Sequence, residues 1–172
     1  MTGCSRYPSA DTNIAFMGDS ITAHWSLPRS NFGVGGNVTD QMLARFSDEV
    51  LGHSYKAVVI LGGTNDIHRG NGPISPIVST AISNLGEMAS MAEQDKLLVI
   101  LCTIPPIPYE EDQVQTLNLA IIKLAHDHNY RLVDYFTPMA GHPEYFLDGI
   151  HPNTEGYLVM EKALAAVLPL NY

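Results

Sequence analysis

Ala57-Val58-Val59-Ile60-Leu61-Gly62-Gly63-Thr64-Asn65-Asp66 is the stretch that decides how this chain is read. Five consecutive apolar residues, three of them β-branched, stop at a glycine pair followed by small polar side chains. β-branched residues fit a pleated strand better than a helix. An unbroken apolar run, rather than an alternating one, is what a strand covered on both faces requires. The same phrase recurs in both directions. Ile14–Met17 ends at Gly18, Phe32–Val34 runs into Gly35-Gly36, Leu97–Leu101 into Thr103-Ile104-Pro105-Pro106, and Arg131–Val133 precedes Asp134.

Helical periods fill the intervals. Met42, Leu43, Phe46 and Val50 share one face, and so do Ile74, Ile77, Val78, Ala81, Ile82 and Leu85. A third helix is expected to start at Asp112 with Gln115 as its capping-box partner, to bury Val114, Leu117, Ile121 and Leu124, and to stop at Asn129. A last one follows Pro152 and carries Tyr157, Met160, Leu164 and Val167 on one side. Strand and helix in alternation predict a parallel sheet with helices on both faces, joined by right-handed crossovers. In such sheets ligands bind beyond the carboxyl ends of the strands. The polar, glycine-rich turns found there, Gly18-Asp19-Ser20, Gly35-Gly36-Asn37 and Gly62-Gly63-Thr64-Asn65-Asp66, therefore share one rim with Asp148-Gly149-Ile150-His151-Pro152.

The whole chain narrows the options. At 172 residues it suits one domain, read here as spanning 1–172 with residues 1–12 as a mobile tail. Nine basic residues against eighteen acidic ones give a net charge of −9, which disfavours nucleic acid or an anionic membrane as partner. No apolar run approaches the roughly 18 residues needed to span a bilayer. The polar start, Met1 to Asn13, lacks a signal-peptide core, so the expected location is cytoplasmic. Thr2-Gly3-Cys4 resembles the end of a lipoprotein cleavage site, and a removed leader before Cys4 would make the protein periplasmic or lipid-anchored instead. The other cysteine, Cys102, ends a buried-looking strand and reads as a small hydrophobe.

A serine hydroxyl needs a base to take its proton as it attacks. Imidazole, with an ordinary pKa of about 6.5, suits the task, and a carboxylate fixes its tautomer. Asp148 and His151 are three residues apart, so one tight turn places the carboxylate beside Nδ1 and leaves Nε2 to face Ser20. An oxyanion formed in the attack needs rigid donors, for which the bare backbone of Gly36 and the side-chain amide of Asn65 are suited. Taken singly, each residue also has a plain structural reading: Ser20 as a helix N-cap, Asn65 as an Asx-turn residue, Gly36 as a positive-φ position.

Together the blocks resemble one family. Phe16-Met17-Gly18-Asp19-Ser20-Ile21-Thr22, Asn31-Phe32-Gly33-Val34-Gly35-Gly36-Asn37, Gly62-Gly63-Thr64-Asn65-Asp66 and Asp148-Gly149-Ile150-His151-Pro152-Asn153 resemble, in order, the four blocks of the SGNH (GDSL-type) hydrolases. Ile21 replaces the leucine of the family name, and Asn37 stands where aspartate is common. The resemblance implies a flavodoxin-like α/β/α sandwich around a five-stranded parallel sheet. It implies Ser20, His151 and Asp148 as a catalytic triad, with the Ser20 and Gly36 amides and the Asn65 side chain as oxyanion hole, and no cofactor or metal. A chain this short leaves no room for a large lid, so small esters with short acyl groups are the expected substrates. Asp19, His68 and Tyr109 are candidates for substrate contact.

Two rivals stand beside this reading. Asp19, Asp66, His68 and His151 form a possible metal cluster for a phosphoesterase, although no H-E-x-x-H or similar ligand spacing occurs. A domain that binds carbohydrate or lipid without turnover is the other. The remaining histidines have plain explanations: His126 and His128 at a helix C-terminus, His24, His53 and His142 at the surface or in loops.

Overall fold

The computed structural model describes residues 13–26 and 30–168. The N-terminal tail and Cys4, for which mobility and a leader site were considered, lie outside the described residues. Five strands, β1 (Ile14–Gly18), β2 (Ser30–Gly33), β3 (Ala57–Leu61), β4 (Leu98–Cys102) and β5 (Arg131–Val133), form one sheet in the order β2-β1-β3-β4-β5. Every pairing is parallel, with Ile14 opposite Ala57 and Val59 opposite Ile100. The fully buried β1 and β3 at its centre are the apolar runs that predicted it.

The helices are α1 (Ser20–Ala23), α2 (Thr39–Val50), α3 (Thr64–His68), α4 (Ile74–Gln94), α5 (Glu111–His128), α6 (Phe136–Met139) and α7 (Thr154–Val167). α4 packs between α2 and α5 on one face of the sheet. On the other, Trp25 beyond the end of α1 stacks on Tyr157 of α7, ring centroids 5.8 Å apart. The predicted stripes are the buried ones: Met42, Phe46 and Val50 on α2, Val114, Leu117 and Ile121 on α5, Met160 and Leu164 on α7. Cys102 is buried as expected, and burial pushes its thiol well above the ordinary range.

The start of α5 differs from expectation. The helix begins at Glu111 after Glu110, with no side-chain cap, and Asp112 lies inside the first turn. Tyr109, at φ 66°, turns the chain into the helix by backbone geometry alone. Glu111 and Asp112 then place charge where the helix dipole favours it. Asn129 ends the helix in the left-handed conformation, as its side chain allows.

The chain runs from β1 outward to β2 and then back across to β3. That reversal opens a crevice at the carboxyl ends of β1 and β3, the position where doubly wound sheets bind ligands. Close packing under the crevice is strict at Gly33, where a Cβ would sit 2.1 Å from the backbone nitrogen of Ala23, whereas one on Gly35 would meet nothing within 4 Å. Gly33→Ala is therefore expected to cost about 3 kcal/mol or more in urea unfolding, and Gly35→Ala less than about 1 kcal/mol.

Candidate active site

The turn after β1 is built on Asp19. Its Oδ1 accepts the Ile21 N–H at 2.9 Å, which makes Asp19 the N-cap of α1 and Ser20 its first helical residue. The cap role considered for Ser20 belongs to its neighbour. At the first position of a helix the Ser20 N–H has no acceptor within the helix and points out of its end.

The loop before α7 brings the other half. Asp148 divides its two oxygens between two tasks. Oδ1 accepts the N–H groups of Ile150 and His151, at 3.0 and 2.8 Å, and closes the turn; Oδ2 lies 2.7 Å from Nδ1 of His151. An ionised carboxylate only accepts, so Nδ1 carries the proton and Nε2 is left to accept from Ser20 Oγ, 2.8 Å away. These bonds, the His151 N–H first and its imidazole next, hold the Asp148 carboxyl down at about 2. The carboxylate is thus charged at any pH where an imidazole titrates. The loop is pinned on both sides: Leu147 N–H donates to His151 O at 2.8 Å, Asn153 N–H to Tyr145 O at 2.9 Å, and the Tyr157 hydroxyl to Ile21 O at 2.7 Å, tying α7 to α1.

Opposite them stand the turns after β2 and β3. Gly36 takes φ +79°, a conformation glycine adopts without strain. The buried Asn65 side chain donates one of its two N–H groups to Asn37 O at 3.0 Å, which leaves the second for another acceptor. Two arginines brace these turns. Arg45 on α2 donates to Asn37 Oδ1 and to Gly18 O, both at 2.9 Å, and pairs with Glu49. Arg69 donates to Gly36 O at 3.0 Å. Asp66 accepts both the N–H and the hydroxyl of Thr39, at 3.0 and 2.6 Å, and so fastens the β3 turn to the start of α2.

Ser20, His151 and Asp148 are therefore joined in a line, and Asn65 rests against the Gly36-Asn37 turn. The substrate-contact candidates fall elsewhere. Asp19 is 0% exposed, so it faces the interior and not a bound molecule. Tyr109 stands 97% exposed, clear of any wall. His68 pairs with Glu110 at 3.1 Å beside a polar groove of about 480 Å³ that also includes Gln113 and Thr116. The four residues weighed as a metal cluster are dispersed among these roles, and no group of three or more His, Cys, Asp or Glu among the described residues could hold an ion.

Two residues beside the site carried no functional expectation from the sequence, Arg45 and His24, whereas Arg69 was weighed with His68 as lining the mouth of the site. Arg45 acts through a long side chain that no spacing rule marks. His24 was placed at the surface, and it is exposed, but its ring lies 5.3 Å from that of His151. Its position four residues after Ser20, one helical turn on, was the available signal. From His24 an apolar groove of about 350 Å³ runs along Trp25, Leu147, Pro152, Tyr157 and Leu158.

Comparison with known proteins bears on the family and the fold. The model of the GDSL-like Lipase/Acylhydrolase family matches residues 16–159. Among solved structures, a GDSL-like lipase from Bacteroides thetaiotaomicron VPI-5482 is 30% identical and aligns over 89% of this chain and 85% of its own, with a TM-score of 0.77. The lipase/acylhydrolase from Enterococcus faecalis is 25% identical over 92% and 98%, TM-score 0.74. A catalytic mutant of an acetylxylan esterase from Geobacillus stearothermophilus shares the fold, with a TM-score of 0.74 over 90% and 92% at 17% identity. No curated protein matches by sequence.

The Asp66–Thr39 link makes its own test. Asp66→Ala leaves two donors of Thr39 without their acceptor and is expected to cost about 2–3 kcal/mol in urea unfolding.

Proposed function

The chain belongs to the GDSL-like lipase/acylhydrolase family, and on that premise we propose that it is a serine esterase that cleaves small carboxylic esters through an acyl-enzyme. The observation that carries the reading is the unbroken line from Ser20 Oγ to His151 Nε2 (2.8 Å) and from His151 Nδ1 to Asp148 Oδ2 (2.7 Å).

Ser20 attacks the ester carbonyl while His151 removes its proton. Asp148 fixes the tautomer that makes Nε2 an acceptor and stabilises the imidazolium as it forms. The developing oxyanion takes hydrogen bonds from the Ser20 and Gly36 N–H groups and from the second N–H of Asn65. His151 then protonates the leaving alcohol, and a water activated by the same imidazole releases the acid. The chemistry calls for no cofactor.

Short acyl groups are the preferred substrates. His151 is 27% exposed and Asp148 56% in their side chains, so the site itself is an open rim, and apolar wall for an acyl chain begins beyond it, in the groove past His24. Each added methylene contributes about 0.8 kcal/mol of binding only when it is buried.

Ser20→Ala is expected to abolish turnover of p-nitrophenyl acetate, and Asn65→Ala to lower kcat about 10²–10³-fold. Across p-nitrophenyl esters of graded length, kcat/KM should peak at acetyl to butyryl. Activity surviving in Ser20→Ala would sink the nucleophile assignment; a rise toward long acyl chains would sink only the substrate reading.

A further inference from the structure

Next to Ser20 in the chain lies a buried carboxyl group that the mechanism above does not use. Asp19 is 0% exposed. Its Oδ1 caps α1, and its Oδ2 is buried without a hydrogen-bond partner among the described residues. A helix cap needs only one oxygen and no charge, and asparagine or serine serves as well. An aspartate in this position brings a second, uncapped oxygen into the interior, at a desolvation cost that a cap alone does not explain.

The surroundings suggest what that oxygen is for. Asp19 adjoins Ser20 in the chain, and Ser20 Oγ is in hydrogen-bond contact with His151. His151, from the loop before α7, attracts a negative charge on Asp19; Asp66, from α3, opposes it; the Thr64 hydroxyl, also from α3, favours it. Tyr157, from α7, is pushed up by burial first and by Asp19 second, and remains a neutral phenol. Arg45, from α2, donates to the carbonyl of Gly18, the residue before Asp19. His151 thus has two acidic neighbours in contrasting settings. Asp148 is largely in water, where its field is screened; Asp19 is dry, where a charge acts at longer reach.

We propose that Asp19 is an electrostatic positioning residue for the reaction of Ser20, its buried carboxylate stabilising the His151 imidazolium from the interior while Asp148 does so from the solvent side. The proposal rests on the esterase reading above. No bond to Asp19 forms or breaks. The proton moves from Ser20 Oγ to His151 Nε2, and Asp19 acts on that transfer through space. Burial raises its carboxyl to about 6, against the bond from the Ile21 N–H and the attraction of the nearby Thr64 hydroxyl, which falls short of a hydrogen bond. Asp19 is therefore charged at neutral pH and neutral below about 6. The acid side of the pH–rate profile should then fall in two steps, one for loss of the base and one for loss of this charge.

The same shift bears on stability. The folded carboxyl holds its proton up to about 6, whereas an unfolded one releases it near the ordinary carboxylate value of 3.8. Between those values the folded state binds more protons, so stability falls as pH rises through the window and stays lowered above it. Removing the charge should relieve that loss.

The test is Asp19→Asn, which keeps an oxygen to cap Ile21 and discards the charge. With p-nitrophenyl acetate, kcat is expected to fall about 10–100-fold at pH 8 with KM within about twofold. The acid limb should simplify to one step. Tm should exceed that of wild type above pH 6, and the difference should vanish below pH 4. A rate within twofold of wild type with an unchanged profile overturns the proposal, and so does a lower Tm at every pH, which would mark Asp19 as a structural cap. Should the variant fail to fold, ¹³C NMR of the Asp19 carboxyl and ¹⁵N NMR of His151 in wild type decide: a step in the His151 shifts that follows the Asp19 titration supports the proposal, and His151 shifts indifferent to it overturn it. Ser20→Ala run in parallel separates the outcomes, because activity surviving there defeats the esterase reading itself.

Discussion

The contact between Ser20 and His151 spans 131 residues of sequence, and the rest of the molecule is arranged around keeping it. A hydroxyl and an imidazole 2.8 Å apart tolerate little error, because a displacement of about 1 Å removes the bond and the chemistry with it. Neither residue is held by its own immediate neighbours alone. Ser20 is fixed by a short helix whose cap is buried; His151 is fixed by an Asx turn whose second oxygen orients the ring. The Tyr157 hydroxyl on Ile21 O then binds the two supports to each other. What the sheet contributes is the common rim on which both supports stand.

Polar groups near such a contact carry risk, since a buried donor or acceptor without a partner costs about as much as a bond gains. The crevice meets this with a network in which nearly every group serves two turns. Arg45 holds the β1 and β2 turns together, Asn65 links the β3 turn to the β2 turn, and Thr39, itself held by Asp66 and Asn84, links both to α2. Asp19 Oδ2 and the Thr64 hydroxyl are exceptions. A buried, half-satisfied carboxyl next to the proposed nucleophile is the kind of local violation that proteins keep where function requires it.

The fold was readable because its evidence is local and repeated. Runs such as Ala57–Leu61 announce buried strands by composition, and the glycines that follow them mark where the chain must turn. The candidate site was legible for the same reason: Ser20, Gly36, Asn65, Asp148 and His151 all sit in such turns, which the fold brings to one rim. What escaped the sequence depends on direction and reach. Nothing in Gly18-Asp19-Ser20 says that one side chain turns inward and the next outward; α3 and α7 decide that when they pack. Arg45 lies midway along an ordinary amphipathic helix, and only the fold aims its guanidinium at Gly18. The start of α5 was misplaced because a backbone turn at Tyr109, not a side-chain cap, sets it.

The two outermost strands are brief: β2 has four residues and β5 three. Each presents only a few unpaired amide and carbonyl groups along the borders of the sheet. A second molecule seeking to extend the ladder would find too short a template to register against, while the long apolar strands that would make good templates are enclosed at the centre. The architecture that concentrates reactive groups at one rim thereby leaves the flanks poor in sites for β-type self-association, a form of protection against aggregation that resides in strand length and not in surface charge.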